Sequence, residues 1–265
     1  MRRDISPAKP TLIMIHGFRG THHGLLLIAK YLKGFDIIIP DLPGFGRGAK
    51  LTRYDLESYV TWLHGFIAKH STQGAPYLMG HSFGSIICAA YAQQYPRTIK
   101  KLVLVNPIGA PALEGPRRTM TRLATLYYKI GASLPNKPAH AWLAARPIVR
   151  VMSITMVKTK DKGLRTYIHH QHDRYFSRFH NPRSVLESFT TSVSSHVGEF
   201  APDIPVPTLL IAGSLDDITP LSDQYALVKK FPKATLKVIN DVGHLTHYET
   251  PERVAAYIQA FTKPR

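Results

Sequence analysis

Residues 77–91 read Tyr77-Leu78-Met79-Gly80-His81-Ser82-Phe83-Gly84-Ser85-Ile86-Ile87-Cys88-Ala89-Ala90-Tyr91. A short apolar run enters Gly80-His81-Ser82-Phe83-Gly84, and a run of small, helix-compatible residues leaves it. Gly-x-Ser-x-Gly between a strand and a helix is the pattern of a strained strand-to-helix turn. Its glycines give the chain room to cross, and its serine is lifted above the sheet edge with the hydroxyl accessible. Glycine and serine also punctuate ordinary turns, so the sequence on either side has to decide.

Outward from Ser82, buried-strand and helix patterns alternate. Thr11–His16 is a near-continuous apolar run, as a parallel strand covered on both faces requires, and it ends in His16-Gly17-Phe18-Arg19-Gly20. Residues 24–33 show helical spacing through Leu25, Ile28, Ala29 and Leu32. Phe35–Pro40 reads as a strand that runs into the turn-rich Asp41-Leu42-Pro43-Gly44-Phe45-Gly46-Arg47, and 55–69 fit an amphipathic helix. Past Ser82 come a strand at Leu102–Pro107, a strand at Thr208–Gly213 and a helix near 222–231. Thr235–Asn240 is the last strand, and a helix over 251–261 closes the chain. The alternation predicts an α/β protein: a mostly parallel, doubly wound sheet of about six strands.

Between Pro107 and Pro207 the strand pattern stops. Helical spacing replaces it, through Met120, Leu123, Tyr127 and Ile130 and again through Leu186, Phe189 and Val193, with Pro135, Pro138, Pro147 and Pro182 dividing the stretch. The expected organisation is a core of residues 1–107 and 207–265 with a helical cap over 108–206, above the carboxyl ends of the strands.

The chain has 265 residues, 34 Lys and Arg against 17 Asp and Glu, and one cysteine. One cysteine excludes an intramolecular disulfide framework and a cysteine zinc site, and Cys88, among small apolar residues, reads as a buried structural thiol. The N-terminus lacks the apolar region of a signal peptide, and no run approaches the roughly 18 apolar residues of a membrane span. A cytoplasmic protein is the expectation. A formal charge of +17 attracts polyanions, yet no nucleic-acid-binding motif is present, so no specific nucleic acid is expected. Residues 111–200 hold fourteen Lys and Arg against five Asp and Glu. Arg117, Arg118, Arg122 and Lys129 fall on the polar side of an amphipathic cap helix, a candidate contact for an anionic membrane surface or an anionic substrate.

A serine nucleophile needs a base and an acid from later strand ends. Gly213-Ser214-Leu215-Asp216-Asp217 follows one strand, and Gly243-His244 follows another, with His247 and Glu249 beyond. The order Ser82, Asp216, His244 is that of a strand-turn-helix serine hydrolase. With His16-Gly17-Phe18, Asp41 to Arg47, Gly80 to Gly84, Gly213-x-x-Asp216-x-x-x-Pro220 and Gly243-His244-x-x-x-x-Glu249 in hand, the chain resembles the α/β-hydrolase superfamily, in its esterase, lipase and C–C-hydrolase-like branch with a helical cap. With the strands and helices around them, the motifs span residues 11 to 261. With only about ten residues before the first strand, the leading antiparallel hairpin common in that family is expected to be absent or reduced.

The resemblance implies roles. Ser82 would be the nucleophile, His244 the base and then acid, and Asp216 the group fixing the imidazole. The backbone N–H groups of Phe18 and Phe83 would form the oxyanion hole. The Gly-x-x-Asp spacing favours Asp216 over its neighbour Asp217, and the preceding glycine favours His244 over His247. Asn106-Pro107, where some relatives carry the acid, has no carboxylate. His16, His81, Asp41, Arg47 and Ser85 read as loop and packing residues. His169, His170 and His172 lack a carboxylate-supported ligand set, so neither metal nor cofactor is expected.

A serine suits acyl transfer, whereas epoxide and haloalkane hydrolysis in this superfamily use an aspartate at that position. Phe18-Arg19-Gly20 also lacks the Gly-Gly-Pro loop of proline-iminopeptidase-like relatives. The expected activity is hydrolysis of a carboxylic ester or thioester with a hydrophobic acyl group, the partner being a small-molecule ester. C–C hydrolysis, perhydrolysis, acyl transfer, or a non-catalytic ligand-binding role on the same fold are the alternatives.

Overall fold

Alternate side chains of the central strands are buried on opposite faces, so each strand needs helices on both sides. The computed structural model describes residues 9–71, 74–112 and 118–263. In chain order the elements are β1 (Thr11–Ile15), α1 (Leu26–Tyr31), β2 (Asp36–Ile38), α2 (Leu56–His70), β3 (Tyr77–His81), α3 (Phe83–Gln94) and β4 (Leu102–Val105). Helices α4 (Arg118–Ser133), α5 (Asn136–Leu143), α6 (Arg146–Met156), α7 (Lys162–Tyr175), α8 (Pro182–Ser194) and α9 (Val197–Phe200) come next. Then follow β5 (Thr208–Gly213), α10 (Leu221–Val228), β6 (Ala234–Ile239), α11 (Thr246–Glu249) and α12 (Pro251–Thr262).

The strands form one six-stranded parallel sheet in the order β2-β1-β3-β4-β5-β6. Leu12 and Met14 of β1 join Met79, Val103 and Ile211 in a core with α1 and α12. Ile13 and Ile15 join Leu78, Leu104 and Leu210 in the other core, with α2 and α3. This period of two, buried on both faces, is why the strands read as continuous apolar runs. At the edges the pattern weakens: β2 is three residues long and partly exposed, and β6 alternates between half-buried and exposed.

After β1 the chain moves to β2 on one side and then to β3 on the other. A crevice therefore opens beyond the carboxyl ends of β1 and β3, where a doubly wound sheet can receive a ligand. Helices α4 to α9 lie between β4 and β5 in sequence. Their prolines sit at helix beginnings: Pro138 and Pro147 in the first turns of α5 and α6, Pro182 at the first position of α8. There the missing N–H would have had no partner anyway. Asn181 caps α8 through the Ser184 N–H at 2.8 Å. Of the basic residues expected on the first of these helices, Arg117 lies outside the described residues, while Arg122 and Lys129 are exposed on α4. Among the described residues no helix is long and apolar enough to cross a membrane.

Candidate active site

β3 passes the chain to α3 through Ser82, at φ 52° and ψ −119°. A β-carbon at Gly80 would stand 2.4 Å from the Gly84 carbonyl oxygen, and one at Gly84 would stand 2.6 Å from that of Ile15. Only glycine allows so close a crossing. The Ser82 N–H donates to Val105 O at 3.0 Å, and the Ser85 N–H donates to Ser82 O at 2.8 Å. Ser85 also donates its hydroxyl to Ser82 O and accepts from the Ile108 N–H, so it braces the turn. Ser82 shares positive φ with Arg19, Asn106 and Asp241, residues that follow β1, β4 and β6. Strained backbone is thus gathered on one rim of the sheet.

Three distant side chains meet on that rim. His244 Nε2 lies 2.8 Å from Ser82 Oγ, and His244 Nδ1 lies 2.8 Å from Asp216 Oδ2. An ionised carboxylate only accepts, so Nδ1 carries the proton and Nε2 is left to accept from the serine hydroxyl. Asp216 and His244 are buried, while Ser82 keeps partial exposure, so the hydroxyl is the group a ligand meets. Asp216 Oδ1 accepts from the backbone N–H groups of Ile218 and Thr219, and Oδ2 accepts from the Thr219 hydroxyl. Burial alone would raise the Asp216 pKa. The facing His244 and the hydrogen bonds from His244 and Thr219 outweigh it and hold the carboxyl well below the usual range. Asp217 points elsewhere, pairing with Lys158 with its own side chain largely exposed.

Asn106 has a place in this network that the sequence offers only as a position lacking a carboxylate. Its amide donates to Asp216 Oδ2 at 2.8 Å and to Gly243 O at 3.3 Å, while its oxygen accepts from the Thr246 hydroxyl. The histidines around the triad are neutral by burial. His16 is lowered to about 4, donates Nδ1–H to Gly17 O and accepts the Leu42 N–H on Nε2. His81, lowered to about 3 by burial and by the facing His244, donates to His244 O at 3.2 Å. His247 is buried with its ring 4.1 Å from that of His81. In the helical segment, Ser153 Oγ bridges His169 and His172 at 2.6 and 2.7 Å. Among the described residues no group of His, Cys, Asp and Glu is arranged to hold a metal. Asp41 accepts from the backbone N–H of Arg47 in its own loop and from that of His22 in the segment after β1.

Ser82 and His244 line a cavity of about 960 Å³, within the range of small-molecule sites. Most of its wall is apolar, with Phe18, Phe83, Ile108, Met156, Phe176 and Phe189 among the lining residues. The Phe18 ring meets Phe45, Phe83 and Tyr128 edge-on, which fixes its loop against α4. Arg19 is fully buried and unflagged by the sequence. Its Nε donates to Phe176 O at 3.1 Å and its Nη2 to Leu143 O at 2.7 Å.

A parallel sheet with a hydrogen-bonded serine, histidine and aspartate at the ends of β3, β6 and β5 defines a class. A family profile described as alpha/beta hydrolase fold matches residues 10–137 and 150–251. The chain belongs to this family, and it is a lipase- and esterase-like hydrolase. It is 26% identical over 262 residues to Lipase 1 of Psychrobacter immobilis, a match covering 94% of this chain and 76% of that protein. Lipase 3 of Moraxella sp. (strain TA144) is 27% identical over 257 residues, with the same two coverages, 94% and 76%. The solved thermophilic esterase of Thermogutta terrifontis superposes with a TM-score of 0.74 at 21% identity, over 95% of this chain and 89% of that one.

Proposed function

We propose that the protein hydrolyses carboxylic esters with a hydrophobic acyl group, through an acyl-enzyme on Ser82. One observation carries the reading: the continuous line from Ser82 Oγ through His244 to Asp216, at the wall of an apolar cavity. Ser82 Oγ attacks the acyl carbon while His244 Nε2 takes the hydroxyl proton, and Asp216 stabilises the imidazolium that forms. The carbonyl oxygen becomes an oxyanion and accepts from the backbone N–H groups of Phe18 and Phe83, each well-aimed donor worth roughly 2.7–4 kcal/mol in the transition state. His244 then protonates the departing alcohol. Water, deprotonated by the same nitrogen, attacks the acyl-serine and releases the acid. Residues 108–206 act as the cap, and those of its apolar side chains that line the cavity, Ile108, Met156, Phe176 and Phe189 among them, hold the acyl group.

A fluorophosphonate probe tests this directly. One label per chain is expected, lost in Ser82→Ala and strongly slowed in His244→Ala. Turnover of a short-chain aryl ester is expected to fall on the order of 10⁴-fold or more in either variant. Wild-type protein that neither labels nor turns over any ester in a panel graded by acyl length would overturn the reading.

A further inference from the structure

From Arg118 to Lys160 the chain has eight Lys and Arg and not one Asp or Glu. That stretch is α4, α5 and α6; the acids of the described helical segment begin at Asp161 and belong to α7 and the elements after it. Helix α4 packs against α5 and α8 and buries Tyr128 and Gly131 there. Its outward side shows Leu123 at 57% exposure, Leu126 at 54% and Ile130 at 40%. Trp142 of α5 continues this surface: its indole N–H donates to Tyr127 O at 3.3 Å, and its ring lies 5.7 Å from that of Tyr127. Arg122 and Lys129 flank the apolar side chains on α4, both exposed and in no ion pair among the described residues. A solvated helix face would mix charge signs and show few large apolar groups. This one combines apolar side chains with one sign of charge, the combination that an interfacial amphipathic helix carries.

We propose that the α4–α5 face docks on an anionic lipid surface, with Leu123, Leu126, Ile130 and Trp142 entering the acyl boundary and Arg122 and Lys129 among the headgroups. The cavity reaches α4 beside this face. Met120, one turn before Leu123 on α4, is 70% exposed and also lines the cavity. Docking therefore brings this side of the cavity to the lipid. Resting on the ester hydrolysis proposed above, this identifies the substrate source as amphiphilic esters held in the membrane rather than dissolved ones.

The test uses the full chain with vesicles of phosphatidylcholine alone and of phosphatidylcholine with about one-third phosphatidylglycerol, at low and raised salt. Binding to the anionic vesicles is expected to exceed binding to the neutral ones by at least roughly tenfold, and to weaken with salt. Arg122→Gln and Lys129→Gln should each weaken it roughly fivefold, and Leu123→Gln with Leu126→Gln should abolish it. All of these variants should hydrolyse a dissolved short-chain aryl ester as the wild type does. In Trp62→Phe protein, which retains Trp142 as its sole tryptophan, lipids brominated on the acyl chain should quench the fluorescence. Equal binding to both vesicle types, no quenching, or variants that bind like wild type would overturn the proposal. So would a dimer in sedimentation that buries this face and is broken by the leucine substitutions. Vesicle binding by a protein that Ser82-directed probes fail to label would sink the hydrolase reading and leave the docking intact.

Discussion

Asn106 shows how much of a site lies outside its motifs. Fully buried at φ 46°, it aims its amide at Asp216 while Thr246 fixes which end of the amide faces which way. A carboxyl of the same shape would face the Asp216 carboxylate in a buried site, where two negative charges cannot both persist. In Asn106→Asp protein the new carboxyl should therefore hold its proton far above the ordinary range near 3.9. The unfolded chain releases that proton near 3.9 and the folded one does not, so the variant loses stability relative to wild type as pH rises through the window above it. The difference in melting temperature should be small near pH 4 and widen towards pH 8, at roughly 1.4 kcal/mol per pH unit. A pH-independent difference would mean that the two side chains do not meet. The strand-end positions of Ser82, Asp216 and His244 are legible in sequence because each follows an apolar run directly. Asn106 is not, because its partner is 110 residues away and its value lies entirely in where its amide points.

At the level of elements, the four central strands were readable because a strand buried on both faces must be apolar throughout, while the prolines between β4 and β5 marked that the helical stretch is divided but not which turns they begin. The short α11, immediately after His244, has too few residues for a periodicity to register. How helices α5 and α7 are held to the loop after β1 was not readable at all. Arg19 places its guanidinium against the carbonyl of the last residue of α5 and that of the residue closing α7, with the Phe176 ring 4.7 Å away. Helix C-termini carry partial negative charge, so two of them stand in for the carboxylate that a buried arginine ordinarily requires. Arg19→Met removes both bonds, leaving the Phe176 carbonyl without its donor and the Leu143 carbonyl with only the Tyr127 hydroxyl at 3.3 Å, at a cost of about 2 kcal/mol of local stability to the helical segment. Protease cleavage within α4 to α7 should accelerate about 30-fold, since it follows the population in which these helices have opened, while cleavage in the sheet and its flanking helices changes little. Lysine has no planar fork to reach both carbonyls, so Arg19→Lys should recover only part of the protection. Cleavage rates unchanged in Arg19→Met would show that these helices are held by apolar packing alone.

The whole molecule is basic outside and electrically quiet within. Its interior titratable groups include four imidazoles that burial keeps neutral: His16 and His172 at about 4, His81 at about 3, and His247 lowered well below its ordinary value. In the unfolded chain each accepts a proton near pH 6.5. Between the folded and unfolded values the unfolded state binds more protons, so stability must fall as pH drops from about 6.5 towards 4, by up to roughly 1.4 kcal/mol per pH unit for each imidazole. Asp216 does not share in this loss. Its folded pKa is depressed, so its contribution is present above the unfolded value near 3.9 and is lost only at more acid pH. The +17 surface charge is a separate source of acid sensitivity, and salt distinguishes the two. Screening weakens repulsion between exposed charges but leaves the cost of protonating a buried ring nearly untouched. Calorimetry across this range should therefore show a steep fall in melting temperature that raised salt does not cancel, and a shallower fall in His172→Gln, which binds one proton fewer on unfolding. A flat profile from neutral pH to pH 5 would require these imidazoles to be charged in the folded protein, against a burial that leaves each of them facing other histidines.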